Sequence, residues 1–401
     1  MSGKLSSLKN EHTLHIPIKN RPNWLKYILQ NYIKFKYDGT ILLVDDSNEE
    51  NFEKNSSIVK NFQNLLNVNH LKYNFDTKED SHKIFNKSKY LSISNIDTEF
   101  YSASCDDDFF NPEFAKLAIP FLRNNPSFSN VTGIDVKIFM NKNFDVYKKQ
   151  YKYWPENIHD DPLDRAVNYF YNPNANYLGV NRVSEFDVLK QNETKTNSFF
   201  VRDESDYGLP VFDKEIPWAF LTNINGKSKI FKKVINTIRS EYISPDRDTT
   251  KHLFSTNKNE NYGYINQILS GTFNKSFKRT YDEFLKLISD KSNYNKDIIN
   301  DTLKKTLWAF ICNQKFDYNL NNNLMYVKSK NEYKKNTIRK IINIPNLKVL
   351  LSRDFYKLIS LIINQLKRKF EKILLCYYDR KTLKDYLKSH ENLKSGLISE
   401  N

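Results

Sequence analysis

The sequence predicts an α/β fold built on a mainly parallel sheet, followed by a mainly helical C-terminal region. Strand-like and helix-like segments alternate over about the first 110 residues, which is the pattern of a parallel sheet with covering helices. Beyond about residue 250 the segments become helical throughout. Aromatic residues, with 28 Phe and 25 Tyr, supply the apolar area for a core although only 39% of the chain is hydrophobic.

The first strands and helices follow from their local patterns. Residues 12–18 alternate apolar and polar side chains, which predicts a strand. Pro22 fits the first turn of a helix whose apolar positions continue over 24–35 at i, i+3 and i+4 spacing. The apolar run 40–44 indicates a buried parallel strand. The same half of the chain is completed by a helix at 49–66, a strand near 68–74, a helix at 80–93, a strand at 98–104 and a helix at 113–124.

The middle of the chain predicts a β-hairpin, and the end predicts helices. Two β segments flank the turn MNKNFD within residues 128–153. Further helices are expected at 160–171, 183–192 and 214–224, and a turn and strand at 226–239. The C-terminal helices are expected at 262–270, 278–290, 296–312, 335–343 and 353–378. The change of character places a domain boundary near 250–260.

Positive charge is concentrated in the last quarter of the chain. The formal net charge is +15, of which residues 301–401 carry +12 and residues 1–300 carry +3. A dedicated nucleic-acid-binding domain would not leave most of the chain nearly neutral, so no nucleic-acid partner is expected. Cys105, Cys312 and Cys376 form no CxxC pair, which argues against a disulfide framework or a thiolate zinc site. With no apolar run of signal-peptide or membrane-span length, we expect a cytoplasmic protein.

The strongest chemical signal is the run Asp106-Asp107-Asp108. It follows one predicted strand, and a second acidic pair, Asp45-Asp46, follows another, so both lie at the sheet edge where α/β proteins bind ligands. Adjacent carboxylates repel one another unless they are solvated or neutralised, and Mg²⁺ or Mn²⁺ prefers such oxygen ligands. On an extended segment Asp106 and Asp108 would point the same way and hold one metal ion. The alternative is a solvated acidic turn that caps the next helix.

Three segments in this order and spacing, HIPIKNRP, LLVDDSN and YSASCDDDFFNPE, resemble the nucleotide-sugar-binding half of GT-A fold glycosyltransferases. The chain is most similar in style to the family 2 enzymes and their bacterial relatives with a DDDF motif, over roughly residues 12–240. DDDFF in this context is fairly specific, whereas KNRP and VDD are weak alone. The resemblance implies a GT-A, Rossmann-like domain over 1–255, with a donor half at about 12–125 and an acceptor half at about 126–255. Residues 256–401 would be a helical basic extension.

The resemblance also implies an activity. It is metal-dependent, inverting transfer of a sugar from a nucleotide-sugar donor to a glycan or lipid-linked acceptor in surface polysaccharide synthesis. Asp106 and Asp108 match the DxD carboxylates, which bind the donor diphosphate through Mn²⁺ or Mg²⁺. Asp107 matches the middle position, near the donor ribose or sugar.

Other donor-side roles are carried over from the resemblance in the same way. Asp45, with Asp46 beside it, matches the position that contacts the nucleobase. Arg21 lies in the loop after the first strand near the nucleotide, and Pro17 shapes that loop. Lys83 lies where the helix before the fourth strand faces the donor, although a solvated surface lysine is an equal alternative.

The acceptor half would supply a general base, because an acceptor hydroxyl must lose its proton as it attacks the anomeric carbon. The family pattern is an acidic residue opening a helix and a glycine about eleven positions later, and Glu215 with Gly226 fits it. The usual Glu-Asp pair is Lys-Glu here, so Asp213 competes for the role, and either residue could instead cap the helix. Trp218 is a candidate to stack on an acceptor sugar, with core packing as the alternative.

Two further residues complete the implied donor site. Arg239 would offset charge on the nucleoside diphosphate, and His252 would do so or act as a third metal ligand. His159 is a second candidate for that ligand. Each is a lone residue, and a purely structural role is the alternative for all three.

The predicted helix 353–378 carries an apolar stripe beside a cluster of lysine and arginine residues. It either lies in the plane of an anionic membrane surface, on the inner face of the cell membrane, or packs on the catalytic domain. Two other functions stay open. A nucleotidyltransferase would normally have a glycine-rich loop after the first strand, which KNRP does not provide, and a peripheral membrane protein could retain a non-catalytic GT-A domain.

Overall fold

A computed structural model describes ten parts of the chain: residues 7–72, 95–152, 154–171, 178–186, 216–242, 281–282, 284–311, 314–316, 327–329 and 379–398. The helices predicted at 80–93, 262–270, 335–343 and 353–378 lie outside these residues. None of the helices in the described part of the chain combines the length and apolar composition needed to cross a membrane.

The described elements alternate between strand and helix over residues 12–72, as the sequence predicts. The strands are β1 (His12–Ile18), β2 (Thr40–Asp45), β3 (Asn67–Lys72), β4 (Phe100–Ala103), β5 (Asp108–Phe110), β6 (Phe128–Met140), β7 (Val146–Lys152), β8 (Val180–Arg182), β9 (Lys227–Tyr242), β10 (Gln314–Phe316) and β11 (Val327–Ser329). The helices are α1 (Pro22–Lys34), α2 (Glu49–Phe62), α3 (Pro112–Asn124), α4 (Pro162–Tyr171), α5 (Ile216–Asn225), α6 (Lys296–Ile311) and α7 (Arg380–Ile398). A short 3-10 turn at Val183–Phe186 and a helical stretch at 284–289 complete the description.

Nine of the described strands form one sheet in the order β3-β2-β1-β4-β8-β6-β9-β5, with β7 paired to β6. β3, β2, β1 and β4 are parallel neighbours, which is a Rossmann-like arrangement. β8 is antiparallel to β4 and to β6, so β6 and its parallel neighbour β9 run in the same direction as the first four strands. The predicted α/β class is therefore confirmed.

The sheet is covered on both faces. Along β2, Ile41 and Leu43 belong to one buried cluster, and Leu42 and Val44 belong to another, because successive side chains of a strand point to opposite faces. The first cluster includes apolar residues of α1, α3 and α7, and the second includes those of α4, α5 and α6. The C-terminal helices α6 and α7 thus pack on the same sheet as the N-terminal half.

Local sequence explains where the first helices begin. Pro22 and Pro112 occupy the first turns of α1 and α3, where a backbone N–H is not needed. Asn48 caps α2 by accepting a hydrogen bond from the Asn51 N–H, and Asn111 caps α3 by accepting one from the Glu113 N–H. Residues 106–108, the acidic run after β4, are therefore followed closely by the capped start of α3.

Several expectations need correction. The sequence analysis did not identify Asp108–Phe110 as a strand, yet this segment pairs antiparallel with β9 as β5. α2 ends at Phe62 rather than at residue 66, and residues 183–186 form a 3-10 turn where an α-helix was expected to begin. Sequence patterns did not identify α7, β8, β10 or β11. The division at residue 255 remains a prediction.

Candidate functional site

The acidic residues lie at the carboxyl edge of the parallel strands. β1 pairs with β2 up to Ile18 and Asp45, and with β4 up to His15 and Ala103. The loops that leave these three strands therefore emerge side by side. They carry Arg21, the Asp45-Asp46 turn and the acidic turn, by which we mean residues 105–108.

The acidic turn is a hydrogen-bonded reverse turn. The Asp108 N–H donates to the Cys105 carbonyl oxygen at 3.2 Å, which closes a four-residue turn. This corrects the expectation of an extended segment. The alternation rule that would have aligned Asp106 with Asp108 does not apply inside such a turn, because the chain reverses there.

All three carboxylates are buried. Asp106, Asp107 and Asp108 are 8%, 5% and 4% exposed, so the alternative of a solvated acidic turn does not describe them. Arg21 reaches across from the loop after β1. Its Nη1 donates to Asp106 Oδ1 at 2.6 Å, and both of its Nη atoms donate to Asp107 Oδ2 at 3.2 Å. Arg21 thus pairs with the first two carboxylates and offsets one of their two negative charges, and its guanidinium also lies 5.0 Å from the ring centre of Trp24.

Asp108 is held from the other side by β9. Its Oδ1 accepts the Ser240 N–H at 3.0 Å, and its Oδ2 lies 3.4 Å from Arg239 Nε. Burial, together with the neighbouring negative charge of Asp107, raises the pKa of Asp108, and Arg239 opposes that shift. The structure thus brings Arg239 to the acidic turn from more than 100 residues away.

The described residues contain one group of side chains that could hold a metal ion, namely Cys105, Asp107 and Asp108. Their ligand atoms all lie within 4.8 Å of one another. Two carboxylates suit Mg²⁺ or Mn²⁺, and a sulfur atom suits the softer Mn²⁺ better. Burial and the adjacent carboxylates raise the pKa of the Cys105 thiol well above its usual range. Asp106, which the sequence paired with Asp108, is not in this group.

The Asp45-Asp46 turn is held by internal hydrogen bonds. Asp45 is fully buried, and its Oδ1 accepts the Ser47 N–H at 2.9 Å. Its Oδ2 accepts from Asn55 Nδ2 at 2.9 Å and lies 2.8 Å from His70 Nε2. These bonds lower the pKa of Asp45 although its burial acts to raise it. The carboxylate of Asp46 points away and pairs with Lys19 at 2.8 Å.

A buried carboxylate, Asp135, lies on β6 opposite Thr237 of β9, and Thr237 pairs on its other side with Phe110. Asp135 Oδ2 accepts a hydrogen bond from Trp154 Nε1 at 2.7 Å, and Lys152 lies 3.5 Å from the centre of the Trp154 ring. Burial raises the pKa of Asp135 to about 6, and the Trp154 hydrogen bond and the charges of Arg239 and Lys152 only partly oppose it. The charge of Arg239 therefore lowers the pKa of two buried carboxylates, Asp108 and Asp135, against the effect of their burial.

Some sequence-predicted site residues lie outside the described residues: Lys83, Asp213, Glu215 and His252. Trp218 is part of α5, and nothing further is described of its side chain. Pro17 lies in β1 opposite Val44, near the strand end that leads to Arg21. His159 is exposed in the loop before α4.

Sequence reasoning missed three residues of this site: Cys105, Asp135 and Trp154. Asp135 had a usable signal, since a carboxylate between Ile134 and Val136 in an apolar strand requires a buried partner. Cys105 was judged only as a disulfide or zinc ligand. Trp154 gave no signal, because its partner Asp135 is found only when the hairpin of β6 and β7 is formed.

No protein-family model matches the chain, and no curated protein matches it. Among solved structures, TarS from S. aureus is similar at 12% identity with a TM-score of 0.38, over 80% of this chain and 60% of that chain. TarS 1–349 in complex with UDP is similar at 14% identity with a TM-score of 0.41, over 96% of this chain and 92% of that chain. The mannosyltransferase PcManGT from Pyrobaculum calidifontis, in complex with GDP-Man and Mn²⁺, is similar at 9% identity with a TM-score of 0.38, over 75% of this chain and 74% of that chain. With TM-scores of about 0.4, what this chain binds has to be argued from its own residues.

Proposed function

We propose that this chain is a metal-dependent glycosyltransferase that uses a nucleotide-sugar donor. The observation that carries the proposal is the buried acidic turn at the carboxyl edge of a parallel sheet. The two arginines that contact it, Arg21 and Arg239, offset two of its three negative charges. A divalent cation would offset the remaining negative charge and leave positive charge to attract a diphosphate, and the sheet edge is where α/β proteins bind phosphorylated ligands.

Different side chains of the site would contact different parts of the donor. Asp107 and Asp108, with Cys105 beside them, would hold Mn²⁺ or Mg²⁺, and the ion, when bound, supplies charge that stabilises a nucleoside diphosphate as a leaving group. Arg21 is placed to exchange part of its contact with Asp106 for a phosphate oxygen, since its side chain is 27% exposed. Asp106 would then be free to turn toward the donor ribose.

The nucleobase would lie against the Asp45-Asp46 turn. Because the Asp45 carboxylate is engaged by Ser47, Asn55 and His70, we assign it to fixing the shape of the turn. Asp46 and the backbone of the turn would contact the base. Pro17 and Lys83 remain proposed donor-side residues on the basis of the sequence.

The acceptor side is proposed from the sequence motif. Glu215, just before α5, would accept the proton of the acceptor hydroxyl, with Asp213 as its competitor and Trp218 as a stacking surface. His252 would complete the metal or diphosphate site. Inverting transfer to a glycan or lipid-linked acceptor, at the inner face of a membrane that the basic C-terminal region contacts, belongs to the same proposal.

Nucleoside diphosphate binding tests the donor half directly. We expect UDP or GDP to raise the unfolding temperature only when Mn²⁺ or Mg²⁺ is present. Asp107→Asn combined with Asp108→Asn should abolish this effect. Asp301→Asn, which removes an exposed carboxylate on α6, is the matched control and should leave it unchanged. Stabilisation that persists in the double variant would refute the metal role.

Turnover tests the transfer itself. A panel of nucleotide-sugars should reveal metal-dependent release of the nucleoside diphosphate from one donor class. Glu215→Gln should bind that donor normally and lose turnover, whereas Asp213→Asn should retain it. Equal turnover in Glu215→Gln and wild type would remove the base assignment.

A further inference from the structure

The C-terminal helix α7 lies behind the acidic turn. Tyr386 is fully buried on α7, and its ring centre lies 5.0 Å from that of Phe109, the residue that follows Asp108. Phe109 also contacts Tyr32 and Phe35 of the α1 region, at ring-centre distances of 5.4 and 4.7 Å. The ring of Tyr386 therefore closes the aromatic pocket that holds the exit of the acidic turn.

A second connection runs through β9. Asp379, one residue before α7, accepts the Ile235 N–H with its Oδ2 at 2.6 Å. The neighbouring backbone of β9 holds Asn111, because Asn111 Nδ2 donates to the Ile235 carbonyl at 2.7 Å and the Asn111 N–H donates to the Asn236 carbonyl at 2.8 Å. Asn111 is the cap of α3. Asp379 therefore stabilises β9, the strand that holds Asn111 at the end of the segment containing the acidic turn.

Strand β9 also contacts Asp108 itself, because the Ser240 N–H donates to Asp108 Oδ1. Helix α7 thus contacts the end of the acidic turn through the ring of Tyr386, and it contacts β9 through Asp379. Both contacts come from residues 379–386, at the start of α7.

The Tyr386 hydroxyl and the second half of α7 contact other parts of the protein. The Tyr27 hydroxyl lies 3.0 Å from the Tyr386 hydroxyl and 2.9 Å from His390 Nδ1, and His390 Nε2 donates to the Phe144 carbonyl at 2.6 Å. Lys394 pairs with Asp145 at 2.6 Å. These contacts fasten α7 to α1 and to the turn between β6 and β7, which leaves its first turns fixed against the acidic turn.

We propose that Tyr386 and Asp379 are positioning residues for the acidic turn, so that the site assembled by the N-terminal half is complete only when α7 is docked. The consequence for donor binding rests on the proposed function. The positioning itself does not, since it is a property of the chain without any ligand. A protein in which α7 loses its contact with Phe109 would keep the sheet and hold the carboxylates loosely.

Backbone amide exchange of the full chain, without ligand, tests the positioning. In Tyr386→Ala the peptide covering residues 104–111 should exchange about tenfold faster than in wild type. Leu397→Ala is the matched control, because it also empties a buried position of α7 but lies at its far end. It should change that peptide by less than about twofold. Tyr386→Phe, which keeps the ring, should restore protection.

Equal protection in Tyr386→Ala and wild type would overturn the proposal, and so would equal loosening in Leu397→Ala, which would mean that α7 acts only through overall stability. If Tyr386→Ala does not fold, Tyr386→Leu provides the same comparison with most of the buried volume kept.

Binding of UDP or GDP with Mn²⁺ is the second measurement. We expect the dissociation constant to rise about tenfold in Tyr386→Ala and to stay within about twofold in Leu397→Ala. If wild type binds neither nucleotide, the proposed function fails, and the exchange measurement still decides the positioning. Unchanged affinity in a folded Tyr386→Ala would overturn the inference while leaving the proposed function in place.

Discussion

Asp135 offers a prediction in which removing a charge stabilises the protein. Its carboxylate is 2% exposed on β6 and accepts a hydrogen bond from Trp154 Nε1. An asparagine has nearly the same shape, and its side-chain oxygen can accept the same hydrogen bond. Asp135→Asn therefore removes the buried charge and keeps the Trp154 hydrogen bond.

The magnitude follows from the pKa of Asp135, which burial raises from 3.8 to about 6. A shift of about two units corresponds to about 3 kcal/mol. Because the folded protein binds this proton more readily than the unfolded chain, proton binding by Asp135 stabilises the folded state at low pH. This stabilisation is lost as the pH rises from about 4 through about 6. At pH 7.5 the variant should be more stable than wild type, by up to about 3 kcal/mol.

Urea unfolding at a series of pH values between 4 and 8 measures this. The difference in free energy of unfolding between Asp135→Asn and wild type should grow in favour of the variant as pH rises, and should level off above pH 7. Other titrating groups contribute equally to both proteins and cancel in the difference. A variant less stable at pH 7.5, or a difference that does not depend on pH, would refute the reasoning.

Three further predictions concern other residues. In Arg21→Ala the free energy of unfolding, measured by thermal unfolding, should fall by about 3 kcal/mol, because two buried carboxylates lose their partner. Mn²⁺ should restore more stability to this variant than to wild type. An unchanged free energy of unfolding would contradict the pairing. Burial lowers the pKa of His12 to about 3. The free energy of unfolding should therefore fall by up to about 5 kcal/mol as the pH drops from 6.5 toward 3, because the unfolded chain takes up this proton first. Acid unfolding of His12→Gln should show a smaller fall. Gly179→Ala should cost about 1–3 kcal/mol in urea unfolding, because its new Cβ would lie 2.1 Å from the Val131 carbonyl oxygen, whereas Gly396→Ala, where a Cβ meets nothing within 4 Å, should be neutral or stabilising.

Local patterns were sufficient for several strands and helices of the first half, although not for β5 or β8. β1 was predicted at its observed bounds, because alternation over His12–Ile18 depends only on the residues themselves. The start of α1 at Pro22 and the cap of α2 at Asn48 are equally local. The hairpin of β6 and β7 followed from two β segments around a polar turn.

The site was predicted only in part. The sequence located the acidic run, Arg21 and Arg239, and the structure places these residues in contact. It assigned Asp106 and Asp108 to one side because it assumed an extended chain, and the turn closed by Asp108 and Cys105 removes that premise. The α7 contacts were missed, because the helical spacing of Leu383, Tyr386 and Leu397 does not specify which surface the helix packs on.

The sequence by itself determined several strands and helices, among them β1, α1 and β2, and which carboxylates lie at the ends of parallel strands. These depend on side-chain periodicity and on capping residues within a few positions of one another. Only the tertiary structure decided which cations face the acidic turn, that Asp135 lies beside Arg239, and that Tyr386 packs against Phe109. Such pairs join residues from 85 to nearly 300 positions apart, and nothing in a local pattern specifies which distant side chain fills a given pocket.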